Sequence, residues 1–122
     1  MKILVVDDEE DIQTLFQQRF RKEIRNGLVD FAFAISGEQA LKYLNEQHHE
    51  AVLILSDINM PGMSGLELLE RIKRTYQAPP PVVMMITAYG DAENYDQAIK
   101  LGADDFLTKP VDFSLLKEKL KL

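Results

Sequence analysis

The chain has no cysteine, which excludes a disulfide framework, a thiolate zinc site and a cysteine nucleophile, and fits a reducing compartment. Apolar runs long enough to span a membrane are also missing: stretches such as Val52 to Leu55 fall far short of the roughly 20 residues a bilayer needs. No secretory leader is expected, because Met1 and Lys2 lead into only Ile3 to Val6 before the acids Asp7, Asp8, Glu9, Glu10 and Asp11. Positive charge is in short supply, with 14 Lys and Arg against 20 Asp and Glu and a formal net charge of -6. A surface of that sign repels phosphate backbones, so direct contact with DNA or RNA is not expected. No internal repeat, low-complexity tract or interdomain linker interrupts the 122 residues. A single domain over residues 1–122, in the cytoplasm and off the membrane, is the expectation.

What the chain does have is a regular alternation of two hydrophobic periods. Ile3 to Val6, Val52 to Leu55 and Val82 to Ile86 are continuous apolar runs, the pattern of strands covered on both faces. Val29, Phe31, Phe33 and Ile35 alternate with Asp30, Ala32 and Ala34, which predicts a strand with two unlike faces, and a shorter fifth strand is expected at Asp105 to Leu107. Between them, Ile12, Leu15, Phe16, Phe20 and Ile24 recur at helical spacing. Ala40, Leu41 and Leu44 do the same, as do Leu66, Leu69 and Ile72. Ser36, Ser64 and Asp91 stand where helix N-caps belong, and Gly102 follows a helix over Ala92 to Leu101. The prolines of Gln77 to Pro81 cannot continue a helix and must connect the third helix to the fourth strand. Five strands alternating with five helices predict a doubly wound α/β fold, a parallel sheet joined by right-handed crossovers with helices on both faces.

In such a sheet, ligands bind beyond the carboxyl ends of the strands. The first run ends in Asp7 and Asp8, the third in Asp57 and the fourth in Thr87, while Lys109 follows the fifth strand. Carboxylates gathered within ~4 Å repel by about 4 kcal/mol per pair at an effective dielectric near 20, so a cation or raised pKa values must accompany them. A hard, oxygen-seeking ion such as Mg²⁺ fits, and zinc does not, since no Cys or His is placed nearby. With the repulsion offset, one carboxylate can attack a phosphoryl donor, with Lys109 and the Thr87 hydroxyl on the phosphoryl oxygens. Asp57 is the candidate acceptor, because an apolar strand delivers it into the loop Asp57-Ile58-Asn59-Met60-Pro61-Gly62-Met63-Ser64-Gly65. Pro61 and the two glycines mark a tight turn able to bring the Asn59 carbonyl onto the metal.

Asp7-Asp8, the Asp57 to Gly65 loop, Thr87-Ala88 and Lys109-Pro110, in that order and at those separations, resemble the receiver domain of two-component response regulators. The resemblance covers essentially the whole chain. It implies a flavodoxin-like sheet in the order 2-1-3-4-5, with Asp8, Asp57 and the Asn59 carbonyl as Mg²⁺ ligands and Asp7 acting through water. It further implies that Lys109 contacts the acceptor across a cis peptide to Pro110, and that Thr87, Ala88 and Phe106 form a switch. Phosphorylation adds roughly 1.5 to 2 negative charges and draws Thr87 inward, reshaping the last two helices and the fifth strand. That surface would then regulate an attached output domain or a partner protein, and a homodimer would form through it. The phosphoryl group would come from a sensor histidine kinase or a histidine phosphotransfer protein. Apart from Mg²⁺-dependent self-phosphorylation and autodephosphorylation, no enzymatic activity is implied.

An aspartate-nucleophile phosphohydrolase would share the acceptor, the Thr, the Lys and Mg²⁺. Such enzymes usually place a second acid two residues after the nucleophile, where this chain has Asn59. A third reading is a receiver-like interaction module that works without phosphate. Glu9, Glu10 and Asp11 are read as acids at a helix N-terminus, His48 and His49 as a solvated loop, and Arg19, Arg21, Lys22 and Arg25 as a solvated helix face. Met60, Met63, Met84 and Met85 are expected in packing roles. Tyr89, with Asn59, flanks the site and is expected to tune phosphate lifetime. Leu115 and Leu122 fall off the Phe113, Leu116, Leu120 stripe, as crowding or an interface would require.

Overall fold

The computed structural model describes residues 1–47, 53–76, 81–88 and 90–122. The expectations for His48, His49, Val52, Tyr89 and the 77–80 part of the proline connection lie outside the described residues. The strands are β1 (Lys2–Val6), β2 (Asp30–Ala34), β3 (Leu53–Asp57), β4 (Val82–Thr87) and β5 (Asp105–Thr108). The helices are α1 (Asp11–Arg19), α2 (Arg21–Arg25), α3 (Gly37–Gln47), α4 (Gly65–Thr75), α5 (Ala92–Lys100) and α6 (Phe113–Leu120). All strand pairs are parallel, in the order β2-β1-β3-β4-β5, so the doubly wound sheet read from the alternation is what forms.

The continuous apolar strands divide their side chains between two cores, as the two-residue pleat requires. Leu4, Val6, Ile54, Val83 and Met85 pack with Ala40 and Leu44 of α3, Leu68, Leu69 and Ile72 of α4, and Ala98 of α5. Ile3, Val5, Leu53, Leu55, Met84 and Ile86 face the other way, onto Phe16, Phe20, and Leu116 and Leu120 of α6. Strand β2 is unlike on its two faces: Phe31 and Phe33 lie against the second core and Ala32 and Ala34 against the first. Met60, Met63, Met84 and Met85 are all buried.

Among the described residues six helices form where five were expected, because the first helical stretch divides at Phe20. That residue has φ -106° and ψ 18°, outside the helical region, although no glycine or proline interrupts the stretch. The Phe20 ring is fully buried and lies among three others, with centroids 6.0 Å from Phe16, 5.0 Å from Phe31 and 6.1 Å from Phe113. Seating it there turns the backbone out of helical geometry, so a periodicity that runs on to Ile24 is served by two short helices. Ile24 itself is exposed.

The N-caps fall where the sequence puts them. Ser36 Oγ accepts from the Gln39 N–H, Ser64 Oγ from Glu67 and Asp91 Oδ1 from Asn94; Asp112 caps α6 in the same way. Gly102 has φ +97° directly after α5 and its cap residue Leu101, a conformation that glycine adopts without a Cβ clash. Leu122 packs onto the second core, whereas Leu115 is exposed.

Candidate functional site

Register brings the polar strand ends together. Val6 pairs with Ser56, Asp57 with Ile86, and Thr87 with Thr108. In the neighbouring strands β1, β3, β4 and β5, the next residues are therefore Asp7, Asp57, Thr87 and Lys109, side by side along one sheet edge. Carboxylate oxygens of Asp7, Asp8 and Asp57 lie within 4.8 Å of one another. Asp57 is 2% and Asp7 5% exposed, whereas Asp8 faces solvent.

The neighbours of these carboxylates are few. Lys109 Nζ donates to Asp57 Oδ2 at 2.6 Å, and the Asn59 N–H donates to Asp57 Oδ1 at 3.2 Å. Asp7 Oδ1 accepts from the Glu9 N–H at 2.9 Å. Among the described residues one ammonium, that of Lys109, is hydrogen-bonded to this cluster, and like charges no more than 4.8 Å apart repel by about 3 kcal/mol or more per pair at an effective dielectric near 20. Burial pushes the Asp7 carboxyl above the ordinary aspartate range; the Glu9 N–H opposes this, and the nearby Asp57 charge adds to it. For Lys109, burial pulls the ammonium down, but the hydrogen bond to Asp57 and the fields of Asp57, Asp7 and Glu9 together carry it above the ordinary lysine value.

Gly65 shapes the loop after Asp57. A Cβ there would stand 2.0 Å from the Asp57 carbonyl oxygen and 2.7 Å from Ile58 Cα. Without one, the first turn of α4 closes onto the strand end, where the Gly65 N–H donates to Ile58 O at 2.7 Å. Gly62 has φ +74° at the turn. Asn59, the expected source of a carbonyl ligand, is exposed beside the acids.

Thr87 is buried, and its hydroxyl donates to the Leu107 carbonyl at 3.4 Å, long for an O–H···O bond. The Lys109 N–H donates to Thr87 O at 2.8 Å, and the Lys109–Pro110 peptide is cis. Ala88 is exposed, and with Thr87, Tyr95 and Thr108 it lines an open depression of about 340 Å³. Phe106 is half-buried, its ring centroid 4.3 Å from that of Tyr95.

Two contacts at this edge were not anticipated. Glu38, at the start of α3, accepts from the Met63 N–H at 3.2 Å, and Tyr95 covers Phe106. Neither leaves a local signal in the sequence, since Glu38 and Met63 stand 25 residues apart and meet only because α3 lies beside the loop.

Residues 3–121 match the family described as the response regulator receiver domain. The response regulator RppA of Synechocystis is 36% identical over 121 residues, 99% of this chain and 49% of the relative. The response regulator protein PilR of Pseudomonas aeruginosa is 40% identical over 119 residues, 96% of this chain and 24% of the relative. The chain therefore spans about half or less of the length of these curated relatives. Among solved structures, a response regulator receiver protein from Pseudomonas putida superposes with a TM-score of 0.83 at 26% identity, covering 98% of this chain and 94% of that one. The receiver domain of Francisella response regulator 1452 gives 0.80 at 30% identity, covering 98% and 93%.

Proposed function

Because the chain belongs to the response regulator receiver domain family of two-component signalling, we propose that it is a phosphate-operated switch in which Asp57 is the phosphoryl acceptor. One observation carries this reading: the Asp57 carboxylate, 2% exposed, has the Lys109 ammonium at 2.6 Å on one oxygen and Asp7 and Asp8 within 4.8 Å. A merely structural ion pair would not retain two further acids at its side, given their repulsion.

The cluster offers only oxygen donors, two of its three acids buried, and this fits Mg²⁺. Asp8, Asp57 and the Asn59 carbonyl would hold it directly, and Asp7 through a water. When bound, the ion supplies positive charge that offsets both the carboxylate repulsion and the charge of an incoming phosphoryl group.

A carboxylate oxygen of Asp57 attacks the phosphorus of a phosphohistidine on a sensor kinase or a phosphotransfer protein. The new O–P bond forms as the P–N bond breaks, and its electron pair stays on the imidazole nitrogen. Lys109 holds the acceptor in place and then pairs with a phosphoryl oxygen. The Thr87 hydroxyl, weakly committed to Leu107, turns to donate to another. Ala88 leaves the path clear, and Phe106 follows Thr87 inward, away from Tyr95. The altered face, made of α5, β5 and α6, acts on an attached output domain or a partner protein and would form a homodimer. Attack of water on the aspartyl phosphate resets the switch. The cytoplasm is the compartment in which such a kinase would deliver phosphate.

Intact-mass measurement after incubation with a small phosphodonor and Mg²⁺ tests this. One phosphoryl adduct on the natural chain and none on Asp57→Asn is the expected result. No adduct, or an adduct that persists in Asp57→Asn, would sink the proposal.

A further inference from the structure

The segment between β3 and α4 is tied down at several points, beginning with the Ile58 N–H, which donates to Ile86 O of β4 at 3.2 Å. Two ties are local: the Asn59 N–H reaches back to Asp57 Oδ1 and the Gly65 N–H to Ile58 O. A further tie comes from α3, where Glu38 Oε1 accepts from the Met63 N–H at 3.2 Å. The same turn of α3 receives the Met63 side chain. Gly37 is buried, and a Cβ there would stand 2.7 Å from Met63 Sδ, so its absence lets the 8% exposed methionine seat beneath the helix start.

An acid in the first turn of a helix is favoured by the helix dipole alone, and that would be the ordinary account of Glu38. Here, however, the cap of α3 is already supplied. Ser36 Oγ accepts from Gln39 N, and Gln39 Oε1 accepts from Ile35 N at 2.8 Å. The Glu38 carboxylate is directed across to the loop instead, and it is exposed, so the hydrophobic core does not require it.

We propose that Glu38 is a positioning residue for the metal site: by holding Met63 N it fixes the turn that presents the Asn59 carbonyl beside Asp57. The proposal rests on the reading of Asp57 and Asn59 given above. Its physical basis is that a ligand carried on a loop loses affinity when the loop must be ordered on binding. Glu38 removes that disorder beforehand through a hydrogen bond of ordinary strength.

The test compares Glu38→Ala and Glu38→Gln with the natural chain. The dissociation constant for Mg²⁺ alone is measured by calorimetric titration, and exchange of the Met63 amide by NMR. Glu38→Ala should bind Mg²⁺ about threefold to tenfold more weakly, the factor expected for one net hydrogen bond, and its Met63 amide should exchange faster. Glu38→Gln loses the charge but keeps the acceptor, and should stay within about twofold of the natural chain on the same basis. Unchanged Mg²⁺ affinity in Glu38→Ala overturns the proposal, and so does equal weakening in both variants, which would make Glu38 a distant charge only. Absence of Mg²⁺ binding in the natural chain overturns this proposal together with the metal site, whereas normal binding there with an unaffected Glu38→Ala overturns this one alone.

Discussion

At Gly65 the missing methyl group is what lets α4 start directly against the end of β3. Its Cβ would meet backbone atoms on both Asp57 and Ile58, and backbone cannot step aside as a flexible side chain can. Gly65→Ala should therefore lose about 3 kcal/mol, the upper end of ordinary overpacking, as read from urea unfolding midpoints. Asp7 presents the opposite case, a residue that weakens the fold it belongs to. Its carboxyl is raised by burial and by Asp57, so the unfolded chain gives up that proton more readily than the folded one. Stability consequently falls as pH rises from the ordinary aspartate value, near 3.9, through the higher folded value. Asp7→Asn keeps an oxygen for the Glu9 N–H and removes the charge. In metal-free buffer at neutral pH it should raise the melting temperature, and a lowered one would contradict the account of Asp7 as a strained acid.

Among the elements, the pairing of α1 and α2 with α6 is held by aromatic packing and a largely buried ion pair. The Phe16 ring lies 5.1 Å from Phe113 and 5.5 Å from Phe31 and is fully buried. Phe16→Ala should cost about 3–5 kcal/mol, a large share of the 5–15 kcal/mol typical of a domain; a loss under about 1 kcal/mol by chemical denaturation would show that the site collapses freely. Nearby, Glu23 Oε2 lies 3.2 Å from Lys117 Nζ, and that ammonium sits 5.2 Å from the Phe20 ring centroid. The Glu23 carboxyl is held below the usual glutamate range, first by its own backbone N–H, with burial opposing and Lys117 adding to the effect. A depressed carboxyl contributes stability that is fully present above its unfolded value, near 4.3, and is lost as pH falls through the folded one. Unfolding midpoints measured between about pH 5 and 3 should thus fall less steeply in Glu23→Gln than in the natural chain. Parallel curves would remove Glu23 from the acid response.

At the scale of the whole molecule, a cation bound at the acidic edge would couple its binding to folding. A cation held only by the folded arrangement of Asp7, Asp8 and Asp57 stabilises it by about 1.4 kcal/mol at ten times its dissociation constant. Mg²⁺ should raise the melting temperature accordingly, and Asp8→Ala should abolish the shift; a shift that survives would place the ion elsewhere. Much of this edge was readable in the residue order. Apolar runs that stop at Asp7, Asp57 and Thr87 specify strands whose ends share one side, because a parallel sheet aligns its carboxyl termini. The runs could not specify register, and register is what sets Asp7 level with Asp57 and Thr87 level with Thr108. Nor could helical periodicity show the break at Phe20, which arises from rings contributed by β2 and α6. The local code, meaning period, caps and turn glycines, determined by itself the parallel α/β class, the element order and the candidate acids, since each depends on neighbours a few residues away. Only tertiary structure decided that Glu38 holds Met63 and that Tyr95 lies over Phe106. Such contacts join distant parts of the chain, and they exist only once packing has brought those parts within the few ångströms over which a hydrogen bond or a ring contact acts.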